Sequence, residues 1–167
     1  WNFQHSVYED SRRVLWISTL GGLARYEPAL HRFTLSPVPH PEATIKTVFE
    51  DRQGRFWVGP FQELYLFDRA TGRYTLLPVP VGEGEAQPTF IAFYLDKQEV
   101  LWMGTASAGY GLFKLDLHRQ PWHLEPYNPN GQINPFTFLN SIHKDAEGVI
   151  WLATTTGLQR IESAKNQ

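Results

Sequence analysis

The sequence predicts an all-β chain made of β-propeller blades, each a four-stranded antiparallel sheet. Three observations predict it. An Asp followed six residues later by a Trp occurs four times, at Asp10 and Trp16, Asp51 and Trp57, Asp96 and Trp102, and Asp145 and Trp151. The Trp positions lie 41, 45 and 49 residues apart, and a period in the forties marks a repeat architecture. Between the motifs, short apolar runs alternate with turn residues, and no window of helical length holds a clean 3.6-residue period. Four-stranded units at this period fit propeller blades. A sandwich is the main alternative, but it would not need the same motif in every hairpin.

The repeat units span approximately residues 5–36, 45–78, 90–124 and 139–162, forming a single partial propeller over 1–167. The second unit shows the elements in order. Thr47 to Asp51 alternates and reads as the innermost strand. Arg52-Gln53-Gly54 is a tight turn, with Gly54 free to take a positive φ. Phe56 to Gly59, Leu64 to Phe67 and Arg73 to Leu77 follow as strands two to four, with a turn at Asp68 to Gly72. Gly148 occupies the Gly54 position in the fourth unit, whereas Arg13 and Glu99 occupy it in the first and third. Those two hairpins must use another turn type or accept strain.

The motif residues read as structural. An Asp at the first position of a turn accepts backbone N–H bonds, here expected from the residues two and three further on. The four Trp residues read as core between adjacent sheets. Identical placement of Asp10, Asp51, Asp96 and Asp145 in every unit argues for fold maintenance rather than catalysis.

Spacing locates the functional face. From the Trp to the Leu of the third strand is seven residues in units one, two and four, but ten in unit three, Trp102 to Leu112. From that Leu to the fourth-strand aromatic is ten residues throughout: Leu23 to Phe33, Leu64 to Tyr74, and Leu112 to Trp122. From that aromatic to the next Asp is 18, 22 and 23. Length variation is therefore expected only in the connections from strand two to three and from strand four to the next unit. In an up-and-down sheet both lie at one end, and repeat proteins place insertions on the binding face.

Composition excludes several classes. A net charge of -2 provides no basic field for nucleic acid or an anionic membrane. With no Cys there is no disulfide, thiolate metal site or Cys nucleophile. No apolar run reaches the roughly 18–20 residues of a membrane helix. The six His residues lack the close paired spacing of a metal site, and no Ca²⁺ loop, phosphate loop or nucleophile elbow occurs, so neither cofactor nor metal is expected.

Asp51 to Gly59 with Leu64 to Asp68, and Asp145 to Thr154 with Gly157-Leu158, carry the pattern Asp-x-x-Gly-x-apolar-Trp-aliphatic-Gly-Thr followed by Gly-Leu. Trp16 to Thr19 with Gly22-Leu23, and Trp102 to Thr105 with Gly111-Leu112, repeat its second half. This resembles the two-component regulator propeller repeat, over roughly residues 5–162. Unit two departs from it, with Pro60 in place of the Thr and Glu63 in place of the Gly. The resemblance implies the periplasmic or extracellular sensor region of a membrane-anchored bacterial histidine kinase, often a hybrid one, that reads oligosaccharides. It also implies more blades than four, so the chain is expected to be a fragment of a larger propeller. Unit four lacks an outer strand. Trp1-Asn2-Phe3 would supply it only through a link of seven residues to Asp10, against 18–23 elsewhere. Open blade edges would then invite a homodimer.

Candidate ligand-binding residues come from the variable face: Phe61 and Gln62, Ser107 and Tyr110, and Tyr127, Asn128 and Asn130. Tyr110 and Tyr127 offer aromatic platforms for a sugar ring, and the amides offer paired donors and acceptors. Trp122 aligns with Phe33 and Tyr74 and is read as core. The leading function is a non-catalytic sensory module binding a small-molecule or oligosaccharide ligand, with no nucleic acid or direct membrane contact. The alternatives are an enzyme like the propeller lyases that open cyclic antibiotics, and a protein-interaction scaffold. The enzyme would need a His and an acid together on one face with a metal. Only His40 lies well inside a strand-four-to-one connection, which argues against that reading.

Overall fold

Alternating burial between turn signals produces fifteen strands in a computed structural model that describes residues 7–40, 42–60, 62–78, 88–106, 111–134 and 137–162, with the side chain of Asn130 left undescribed. The strands are β1 (Val7–Glu9), β2 (Leu15–Thr19), β3 (Gly22–Glu27) and β4 (Arg32–Pro37), then β5 (Ile45–Glu50), β6 (Phe56–Pro60), β7 (Leu64–Asp68) and β8 (Arg73–Leu77). They continue as β9 (Phe90–Leu95), β10 (Val100–Thr105), β11 (Leu112–Asp116) and β12 (Leu124–Tyr127), and end with β13 (Leu139–Lys144), β14 (Ile150–Thr154) and β15 (Gly157–Ile161). Each group is one antiparallel sheet in sequence order: three blades of four strands and one of three. These are β-propeller blades. The Trp1-to-Phe3 segment, the one candidate for the outer strand that the fourth unit is expected to lack, falls outside the described residues.

The chain divides into two compact units, Trp1–Pro78 and Val79–Gln167, of two blades each. In the first, Trp16, Leu23 and Val38 pack on Phe56, Val58, Tyr65 and Phe67 of the next blade. The Trp16 ring lies 5.2 Å from Phe56 and 5.6 Å, edge-on, from Phe67. In the second, Trp102, Leu112 and Ala92 pack on Leu139, Ile142, Ile150 and Leu152. Burying large aromatic and branched side chains between sheets is what holds such blades face to face. Gly104 sets how close they come. A Cβ there would meet the Leu139 Cβ at 2.7 Å, so the inner strand of blade four packs directly against the backbone of blade three.

The inner strands of blades two, three and four each carry one extra residue opposite the last turn of the second strand, at the Ile45/Thr47, Gly104/Thr105 and Leu139/Ser141 register shifts. Such bulges bend and re-aim the strand end. They lie beside the variable connections, where the strand leaves the sheet.

One expectation fails. Tyr26 pairs with Phe33 and Phe67 with Tyr74, but the corresponding Leu115 pairs with Leu124, not Trp122. The equal spacing of ten residues is a coincidence: the connection from β11 to β12 is two residues longer and places Trp122 before the strand. Length variation therefore occurs at both ends of blade three.

Candidate functional site

The four hairpins that carry the motif superpose in their bonding. In each, the Asp N–H donates to the carbonyl four residues on, at 3.0 Å, and the residue three after the Asp donates back to the Asp carbonyl, at 2.9–3.2 Å. That residue takes the left-handed conformation in all four: φ is 63° at Arg13, 76° at Gly54, 57° at Glu99 and 84° at Gly148. Units one and three thus keep the turn type and accept the strain of a side chain at positive φ.

The Asp carboxylates fill these turns completely. Asp10 Oδ1 accepts N–H bonds from Arg12 and Val14, Asp51 Oδ1 from Gln53 and Arg55, and Asp96 Oδ1 from Gln98 and Val100, all at 2.9–3.0 Å. The donors stand two and four residues on, not two and three. The second oxygen accepts the indole N–H of the motif Trp at 2.8–3.0 Å in every blade. In blades one to three the Trp is therefore both core and hydrogen-bond donor, whereas Trp151 of blade four donates the same bond from a half-buried position. Three of these oxygens also meet a cation: Asp10 meets Arg69 of the next blade at 2.8 Å, Asp51 meets Arg55, and Asp96 meets Lys144 of the next blade at 2.7 Å. Burial works to raise the carboxyls of Asp10 and Asp96, but the hydrogen bonds outweigh it and hold both below the ordinary Asp range. Carboxylates so engaged are scaffold.

At the opposite end, blade two breaks the pattern. In blades one, three and four, the last Thr of the second strand donates its hydroxyl to the carbonyl of the Gly that opens the third: Thr19 to Gly22 at 2.7 Å, Thr105 to Gly111 at 3.0 Å, and Thr154 to Gly157 at 2.8 Å. Blade two has Pro60 and Glu63 at those positions. Glu63 instead accepts a hydrogen bond from the Tyr65 hydroxyl on Oε2 at 2.7 Å, and its Oε1 lies 3.1 Å from Nε2 of His40. Tyr65 is 3% exposed, while the His40 side chain is 68% exposed and that of Glu63 is 21% exposed. Burial, and then the bond to Glu63, push the Tyr65 hydroxyl well above its usual pKa, so it stays a proton donor. His40 comes from the β4–β5 connection and Glu63 from the β6–β7 connection, so the pair joins two connections of the variable face.

Of the residues predicted from sequence, Phe61, Ser107 and Tyr110 lie outside the described residues, as does the side chain of Asn130. Gln62 is exposed beside Glu63. Tyr127 packs edge-on against Trp102 at 5.0 Å, with Lys114 Nζ 5.5 Å over its ring. Both polar ends of the Asn128 amide bond the backbone of Ile133, at 2.9 and 2.8 Å, closing the Pro129–Gly131 turn. The sequence analysis does not name Glu63 or Tyr65 as candidate site residues and weighs His40 only against catalysis, although Pro60 and Glu63 are there departures from the repeat.

Two further clefts lie at the motif-turn end of the second unit. One, of about 460 Å³, runs between the β9–β10 and β13–β14 turns and is lined by Tyr94, Gln98, Lys144 and Glu147. The other, of about 370 Å³, sits under the long β11–β12 connection and is lined by Lys114, Asp116, Arg119, Gln120, His123 and Glu125. Its cations and carboxylates pair with each other, Lys114 with Glu125 at 3.2 Å and Arg119 with Asp116 at 3.1 Å. Among the described residues no three His, Cys, Asp or Glu side chains are grouped to hold a metal ion.

No protein-family model matches the sequence, and no curated protein matches it. Solved structures do share its fold. The extracellular domain of a protein described as a hybrid two-component system of B. thetaiotaomicron matches with a TM-score of 0.71 and 21% identity, over 97% of this chain and 21% of that one. A second such domain from the same organism matches with a TM-score of 0.70 and 21% identity, over 95% and 20%. Virginiamycin B lyase from Staphylococcus aureus matches with a TM-score of 0.61 and 13% identity, over 96% and 55%. The chain therefore spans about a fifth of the two extracellular domains and about half of the lyase.

Proposed function

We propose that this chain is part of an extracellular or periplasmic sensory module of a two-component signalling system, binds an oligosaccharide on its variable face and does no chemistry of its own. One observation carries the reading. The motif turns repeat one internal bond set in every blade, and among the described connections at that end β11–β12 alone departs in length, while the other end changes both its loop lengths and its chemistry, so a repeated scaffold presents a variable rim. The likeness to extracellular domains of two-component proteins supports the setting. The test is isothermal calorimetry of the chain against gluco-, galacto-, manno- and xylo-oligosaccharides. Saturable heats with at least one class are expected, and flat traces with all of them would sink the glycan reading.

A lyase-like enzyme is the second reading, favoured by a specific observation: His40 and Glu63 do place an imidazole and a carboxylate together on the variable face. Virginiamycin B lyase shares the fold at 13% identity. This reading predicts that some bound ligand is converted to a product of altered mass.

A further inference from the structure

Blade two departs from its own repeat at three positions around one connection, and two of them, Glu63 and Tyr65, are hydrogen-bonded to each other. Pro60 removes the hydroxyl that bonds the rim in the other blades, and Glu63 replaces the Gly whose carbonyl received it. Tyr65, at the position held by Ala24, Phe113 and Gln159 elsewhere, adds a buried hydroxyl aimed at Glu63. An exchange that merely weakened the rim would not need a buried tyrosine to hold the new carboxylate in place. We propose that Glu63 and His40 form a ligand-anchoring subsite, with Tyr65 as its positioning residue, and that its ligand is a vicinal diol of a neutral sugar. This assignment rests on the sensory reading above and gives that reading its residues.

The chemistry follows from the lone pairs. An ionised carboxylate has about four acceptor sites. Tyr65 takes one on Oε2 and His40 faces one on Oε1, which leaves acceptor capacity on the outward side of a group still one-fifth exposed. Adjacent sugar hydroxyls supply two donors at the spacing of two carboxylate oxygens. His40, largely in solvent, offers its second ring nitrogen to a further hydroxyl. Gln62, which precedes Glu63 in the chain, is exposed and carries an amide that both donates and accepts. A uronic acid would bring a second negative charge against Glu63 and is excluded by like-charge repulsion.

The experiment is calorimetry of the whole chain with neutral oligosaccharides and with galacturonic acid oligomers, on wild type, Glu63→Gln, Tyr65→Phe and the double variant Pro60→Thr/Glu63→Gly. The double variant restores the residues that the other three blades use, which protects folding, and thermal melts check it. Binding of a neutral class, weakened at least about tenfold by Glu63→Gln and by the double variant, is the expected result, because hydrogen bonds to a charged group exceed a tenfold effect when lost. Tyr65→Phe should weaken the same ligand less, and Gln120→Ala in the β11–β12 cleft should leave it unchanged. Neutral sugars that bind all variants equally, or that depend on Gln120 instead, would overturn the subsite while leaving the sensory reading intact. No saccharide binding to wild type would overturn both. Mass spectrometry of the recovered ligand settles the role of the pair, since a converted product would overturn anchoring and reassign His40 and Glu63 to catalysis.

Discussion

Asp96 shows how much one side chain carries. Its two oxygens serve two backbone N–H groups, the Trp102 indole and the Lys144 ammonium of the next blade. Asp96→Ala leaves the two backbone N–H groups and the indole without this acceptor in a buried turn, and leaves Lys144 with Gln98 Oε1 at 3.4 Å. Unfolding by urea should show a loss of about 3 kcal/mol, against about 1 kcal/mol for Trp102→Phe, which removes a single bond and some area. Equal losses would mean that the indole bond dominates. The same carboxylates set a pH limit. Asp10 and Asp96 are held below the ordinary Asp value of 3.8 in the folded chain, so the stability they contribute is fully present above that value. It is lost as pH falls below 3.8 toward the lowered folded values. A melt series should be flat with respect to these groups near pH 6 and fall steeply below pH 4, and Asp96→Asn should blunt the fall. Sequence alone revealed the motif and its structural role. It did not reveal the indole bond, or the cations from Arg69 and Lys144, because these lie 59 and 48 residues from their acids.

Elements were legible where local chemistry fixes them, and less so where two residues compete for one place. The second blade was read almost to the residue, since Gly54 and Gly72 punctuate it. The β11–β12 hairpin was misread because Trp122 imitates the spacing of Phe33 and Tyr74, and only the pairing of Leu115 with Leu124 shows the two-residue excess. The motif turn is more stringent than sequence suggested, since Arg13 and Glu99 submit to it at positive φ. Arg13 is mostly exposed and, among the described residues, its one ion pair is with Glu9 at the surface, where such a pair contributes little. Arg13→Gly should therefore raise the melting temperature, with up to about 1 kcal/mol of relieved strain. Glu99 is buried and its side chain is engaged, so Glu99→Gly should not stabilise in the same way. A lower melting temperature for Arg13→Gly would show that the side chain, not the turn, holds that hairpin.

For the molecule as a whole, the decisive contrast is among four equivalent leucines. Leu23, Leu64 and Leu112 are fully buried, whereas Leu158, at the same place in blade four, is 69% exposed. Phe138 of the same unit is also exposed. In the first unit, Leu15 and Phe33 lie open, at positions equivalent to Phe56 and Tyr74, which pack against a neighbouring blade. These surfaces have the composition of blade interfaces, and within its own unit neither is covered by a blade among the described residues. Large apolar side chains left open at interface positions favour association. The two kinds of open face are also counterparts of surfaces that pack together in the covered interfaces, so copies of the chain can satisfy one another. Light scattering across a concentration series should show self-association that rises with protein concentration. Leu158→Glu, which puts a charge where an interface needs an apolar contact, should shift the mass toward a single chain without lowering the melting temperature. The residue is already in water, so the folded chain loses no buried contact by the change. A mass that stays at one chain at every concentration in the wild type would refute association through these faces and would mean that the exposed leucine alone is too little to hold two copies together.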